Sequence, residues 1–144
     1  MLIDTKYFGK TEIDEKQIIN FPKGLPAFED INEFSLLAFP ENNLYFCLQS
    51  TKHPEVAFLL INPWDFFPKY DIRIPQDDLE ELSIEKQGQV QVYCIITIPE
   101  DPNNISTNLL GPIVINRDVM RAKQIILHES EYHTKHPLLK REAV

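Results

Sequence analysis

Glycine is scarce in this chain: four in 144 residues, at positions 9, 24, 88 and 111. Four scattered glycines cannot build a loop that cradles phosphate, and neither the dinucleotide nor the P-loop glycine pattern occurs. The G-x-S-x-G nucleophile elbow is missing too. Cysteine is limited to Cys47 and Cys94, each among apolar neighbours (Phe46 and Leu48; Tyr93 and Ile95). Both read as buried, reduced thiols rather than nucleophiles or a disulfide. Long apolar runs are absent. Phe58-Leu59-Leu60-Ile61 falls far short of the ~20 residues needed to span a bilayer. The first ten residues, MLIDTKYFGK, lack the apolar core of a secretory signal. The expectation is therefore a cytoplasmic chain with no membrane contact.

Basic charge is in deficit. Lys plus Arg is 14 and Asp plus Glu is 22, for a net charge of −8. Affinity for the phosphate backbone comes from basic side chains, so this balance argues against nucleic acid as a direct partner. No internal repeat is found, which excludes a solenoid or propeller.

Proline, by contrast, is frequent at 11 residues. It is excluded from helix interiors and central strands, so the elements between prolines must be short. The β-rich runs are 2–8, 17–21, 34–39, 44–50, 56–61, 70–74, 90–98, 113–115 and 122–128. Short connections between the middle runs favour an antiparallel meander over crossovers, which need a dozen or more residues each. One helix is expected over Pro75–Leu82, and a single helical turn after Asn62-Pro63, with Asn62 as cap and Pro63 first in the turn. Another short helical turn is expected between Phe28 and Phe34. The fold class is mainly β: a small antiparallel β-barrel-like single domain over residues 1–138 with one or two short helices. Residues 139–144 are expected to be a disordered tail.

Candidate chemistry is sparse. His128, Glu129, His133 and His136 lie close together but match no zinc spacing, so no metal and no cofactor are expected. Charge is unevenly spread: residues 1–116 hold 8 bases and 18 acids. Within Asp71–Glu85 six acids face the single base Arg73. The run Asp77, Asp78, Glu80 and Glu81 is either a solvated helix face or a docking face for a basic protein. Trp64, Phe66 and Phe67 either cap the core or form an exposed apolar strip for a partner helix.

Several fragments then fall into one order. Phe21-Pro22-Lys23-Gly24-Leu25-Pro26-Ala27-Phe28-Glu29 resembles the F-x-x-G-L-P-G-F-E signature of the FliW family of flagellar assembly factors, with Ala27 at a usual glycine. Leu48-Gln49-Ser50, Ala57-Phe58 and Asn62-Pro63 are similar to its central stretch. Asn108-Leu109 with Pro112-Ile113-Val114-Ile115-Asn116, then Gln124, Tyr132 and Pro137-Leu138, extend the likeness across residues 3–139. The resemblance implies a monomeric, barrel-like, non-enzymatic protein. It implies binding to CsrA, an RNA-binding translational repressor, which relieves repression of flagellin mRNA. It also implies binding to flagellin, which competes with CsrA. On this reading Asp77, Asp78, Glu80 and Glu81 supply the CsrA face, and Trp64, Phe66 and Phe67 the flagellin strip. The rival class is a small-ligand barrel or an enzyme, which a deep apolar lumen would favour over a solidly packed one.

Overall fold

The structure is a computed structural model that describes residues 1–138. The tail expected at residues 139–144 lies outside the described residues. The chain opens with a hairpin, β1 (Leu2–Thr5) and β2 (Gly9–Glu12), whose strands pair only with each other. Then follow β3 (Ile19–Asn20), β4 (Glu33–Phe39), β5 (Asn42–Ser50) and β6 (Ala57–Ile61). The helix α1 is Gln76–Glu81. After it come β7 (Val90–Thr97), β8 (Ser106–Thr107), β9 (Ile113–Asn116), β10 (Arg121–Gln124) and β11 (His136–Pro137).

Seven of these strands close into a barrel-like ring in the order β7-β6-β5-β4-β3-β10-β9, with β9 returning to β7. Closure leaves the ring without free edges. The pairing is antiparallel except between β3 and β10, where Asn20 lies beside Arg121 in parallel. This one parallel pairing makes the sheet mixed within the mainly β, barrel-like fold that was expected. Two strands one hundred residues apart meet here, so no hairpin dictates their direction.

Alternation along the strands makes two cores. The inner one draws on every strand of the ring: Ile19, Phe34, Leu48, Leu60, Tyr93, Ile113, Ile115 and Ala122 are all buried. The outer one lies on the opposite face of β6, β7 and β9, at Ile61, Val92, Cys94, Ile96 and Val114. It is covered by Phe66, Tyr70 and Leu82 from the 62–84 segment, and by Ile125, Leu127 and Leu138 from the C-terminal strap. The β1–β2 hairpin covers a third patch over β4 and β5. The amide of Lys6 donates to Gln49 Oε1 at 2.9 Å, and the Phe8 and Phe39 rings meet tilted, their centroids 4.9 Å apart.

Two expectations fail for clear reasons. Tyr70–Ile74 has strand composition but no strand, because it joins no ladder among the described residues. Phe28–Phe34 forms a turn at residues 29–30 and then enters β4 at Glu33, with no helical turn, after Gly24 (φ +62°) and Ala27 (φ 70°) reverse the chain in left-handed conformations. The turn after Asn62 forms as expected, with Asn62 Oδ1 accepting from the Trp64 amide at 3.0 Å and Pro63 first in the turn.

Candidate interaction surfaces

The acidic run divides by helical geometry. Residues 78 and 81 are three apart and share a face of α1. Both point at β10, where Lys123 Nζ donates to Asp78 Oδ1 at 2.6 Å and to Glu81 Oε2 at 2.7 Å. Glu81 also meets Lys23 Nζ at 2.9 Å. The Asp78 side chain keeps only 17% of its accessibility. These hydrogen bonds from Lys123 and Lys23 hold the Glu81 carboxyl below its usual range. Partial burial works against the Lys123 charge, but its bonds to Asp78 and Glu81 outweigh this and raise its pKa. Asp77 and Glu80 face solvent instead, with Asp71 and Glu85 nearby in sequence and also exposed. Of the four acids expected on a docking face, two therefore hold the helix down and two are available.

The aromatic trio divides as well. Phe66 is 7% exposed and belongs to the outer core, which corrects its place in an exposed strip. It follows a 3-10 turn that points it inward at Tyr45, ring to ring at 6.1 Å. Phe67 is half-buried beside His136. Trp64 is 38% exposed, and its Nε1 donates to the Tyr70 carbonyl at 2.7 Å.

A second, mostly apolar surface lies elsewhere. A groove of about 510 Å³ is floored by Tyr45, Leu59 and Ile96 on the outer face of β5–β7. Tyr7, Phe8 and Phe39 wall one side, and Ile98 and Ile105 the other. It occupies the stretch of sheet between the N-terminal hairpin and the C-terminal strap. Sequence reasoning missed it because its residues come from five separate segments. Ile98, just past a strand and 53% exposed, was the one available signal.

The histidine cluster is a structural feature. The His133 amide donates to His136 Nε2 at 2.8 Å, and the two rings stack at 5.4 Å. Burial lowers the His136 pKa, and the neighbouring His133 lowers it further. Among the described residues no group of three or more His, Cys, Asp or Glu could hold a metal ion. The two thiols are buried, and desolvation pushes Cys47 up to about 11 and Cys94 up to about 12.

The quoted signature is a folding device. Phe21 and Leu25 are buried in the inner core. A Cβ at Gly24 would sit 2.5 Å from the Phe28 carbonyl oxygen, so only glycine fits. Asn116 Nδ2 donates to the carbonyls of Leu82 and Ser83 at 2.8 and 3.1 Å, tying the end of α1 to β9.

The comparisons agree with this architecture. The FliW protein family model matches residues 2–138. The chain belongs to the FliW family. It is 44% identical over 136 residues to the flagellar assembly factor FliW of Bacillus velezensis, covering 94% of this chain and 95% of that one. It is 39% identical over 138 residues to that of Bacillus subtilis, covering 96% of both. A crystal structure of the flagellar assembly factor FliW superposes with a TM-score of 0.89 at 39% identity, covering 96% of each chain. The FliW fold thus places this chain among flagellar assembly factors. Among the described residues no helix is long and apolar enough to cross a membrane.

Proposed function

We propose that this FliW-family chain is a cytoplasmic, monomeric, non-enzymatic antagonist of CsrA that also binds flagellin, so that free flagellin displaces the repressor. The observation that supports it is the solvent face of α1. Asp77 and Glu80 stand exposed without cationic partners among the described residues, while Asp78 and Glu81 are neutralised beneath them. A protein that binds RNA carries basic surface, and an opposite field speeds its encounter with such a face. Dense side-chain packing inside the ring is the arrangement of an interaction protein rather than of a ligand carrier.

For flagellin, whose terminal segments are amphipathic helices, the groove over Tyr45, Leu59 and Ile96 suits the task better than the Trp64–Phe67 strip. A helix docks by apolar anchors, and Phe66 offers none. Trp64 and Phe67 remain secondary contacts.

Size-exclusion co-elution with purified CsrA and flagellin tests the reading. The wild-type chain should co-elute with each, and added flagellin should release CsrA. Asp77→Lys with Glu80→Lys should weaken CsrA binding at least tenfold, with a loss that shrinks as salt rises. Ile98→Glu should weaken flagellin alone. Failure to bind either protein would overturn the function. Undiminished CsrA binding by the double reversal would overturn only the face assigned to it.

A further inference from the structure

The segment Tyr70–Pro75 runs without turn or bend through six residues. Its composition is that of a strand. Ile72 and Ile74 pack on the outer core, while Asp71 and Arg73 alternate outward into solvent. One face is thus fixed, as in any edge strand. Its ends are fixed as well. The Tyr70 carbonyl accepts from Trp64 Nε1, the Asp71 amide donates to the Tyr132 hydroxyl at 2.8 Å, and the Pro75 carbonyl accepts from the Asp78 and Leu79 amides. Between those ends the amides and carbonyls of Ile72, Arg73 and Ile74 have no protein partner among the described residues. Backbone groups are obligatory hydrogen-bonding groups, and a straight, anchored, half-buried row of them is a template for another strand.

Space for that strand exists beside it. A cleft of about 750 Å³ separates this segment from residues 126–132, with Ile126 exposed on the far wall. Among the described residues its lining carries Asp71, Glu129 and Glu131 against Arg73, with His128 beside them. The field over the cleft therefore selects a positively charged occupant.

We propose that Ile72–Ile74 is a β-augmentation site that takes an extended, basic peptide segment of another polypeptide. The occupant pairs its main chain with Arg73, whose N–H lies on the same edge as the Asp71 amide that reaches Tyr132, sets alternate apolar side chains against Ile74 and Ile126, and presents lysine or arginine to Asp71, Glu129 and Glu131. This site stands on backbone pairing and is independent of which protein α1 engages.

The test uses the full chain and three fluorescein-labelled heptapeptides in which valine alternates with lysine, serine or glutamate. Fluorescence anisotropy should give saturable binding of the lysine peptide, at least tenfold tighter than the glutamate peptide, with serine between. Methylating alternate amide nitrogens of the lysine peptide should weaken it at least tenfold, because it removes the donors and leaves the charge. Arg73→Pro, which suits extended backbone but lacks the amide, should do the same. The Arg73 amide should exchange freely in the unbound protein and slow at least tenfold with the lysine peptide. The methylated peptide tests the pairing even if Arg73→Pro fails to fold. No saturable binding at millimolar peptide, equal affinity of the methylated and unmethylated peptides, or the same affinity for all three charges overturns the assignment.

Discussion

Lys123 and Asp78 meet at 2.6 Å although 45 residues separate them in sequence. The ammonium keeps 18% of its accessibility and bridges to Glu81 as well, so one lysine of β10 fastens the only α-helix among the described residues to the ring. Replacing it with methionine leaves two half-buried carboxylates without this partner. We expect Lys123→Met to cost about 1–3 kcal/mol, the range for stranding buried polar groups. That corresponds to a fall of roughly 3 °C in Tm per kcal/mol for a chain of this size. Thermal unfolding by circular dichroism checks it, and Lys123→Arg should recover most of the loss.

The same cluster sets an acid limit. Glu81 has a folded-state pKa below its ordinary 4.5, so its contribution is complete above that value. It is lost as pH falls through the depressed folded pKa. Urea unfolding of wild type and Glu81→Gln should differ at pH 7 and converge as the pH falls through the depressed folded value. A difference that stays constant as the pH falls from 7 into the acid range would show that the side chain acts by packing.

A second titration sits under the C-terminal strap. His136 Nε2 accepts from the His133 amide, so a proton on that nitrogen removes the acceptor. Its folded pKa lies below 6.5, and stability is therefore present above 6.5 and declines as pH falls through the depressed value. The His133 amide should exchange faster on acidification below pH 6.5, beyond the change in intrinsic rate. His136→Phe should flatten that dependence, which hydrogen exchange can follow.

Backbone strain at the 21–29 turn offers a stabilising change. Ala27 has φ 70°, a region costing an L-residue roughly 1–2 kcal/mol. Ala27→Gly relieves that cost and gives back part of it as unfolded-state freedom, for a net gain of about 1 kcal/mol. Gly24→Ala should do the reverse and more, since its Cβ would meet the Phe28 and Glu29 backbone at 2.5–2.7 Å. Chemical denaturation of the two variants should move the midpoint in opposite directions.

Thiol chemistry gives the simplest check on the cores. Cys47 and Cys94 have no accessible surface and raised pKa values. A colorimetric disulfide reagent should report no fast thiol in the native protein and two after denaturation. A fast native thiol would mean that one of the covers opens.

The sequence carried the strands whose side chains alternate or run apolar, because burial on one or both faces leaves that imprint: the runs 56–61, 90–98 and 113–115 form β6 (AFLLI), β7 (VQVYCIIT) and β9 (IVI and the following Asn116). Caps were legible where chemistry is local, as at Asn62-Pro63. β2 was not legible, since Gly9–Glu12 has no apolar residue and is held only by its hairpin partner. The candidate run 122–128 pairs only over Arg121–Gln124, because beyond it Ile125 and Leu127 leave the ladder to cover the outer core. The short β11 contains Pro137, which argued against a strand there. Among the site residues, three-residue spacing within α1 was visible, but which face met Lys123 was not. That depends on a long-range contact with no local signature. The apolar groove and the unpaired 70–75 segment are likewise products of what the remaining chain leaves uncovered.

The ring imposes an order on biosynthesis. β7 divides its length among β9, β6 and β8, and β3 finds its parallel neighbour only in β10. A nascent chain that has emerged as far as residue 112 therefore presents two open sheet borders, at β3 and β7, until residues 113–124 follow. Residues 113–124 act as the latch of the ring, and truncations ahead of Arg121 should yield sticky, insoluble fragments rather than smaller working proteins.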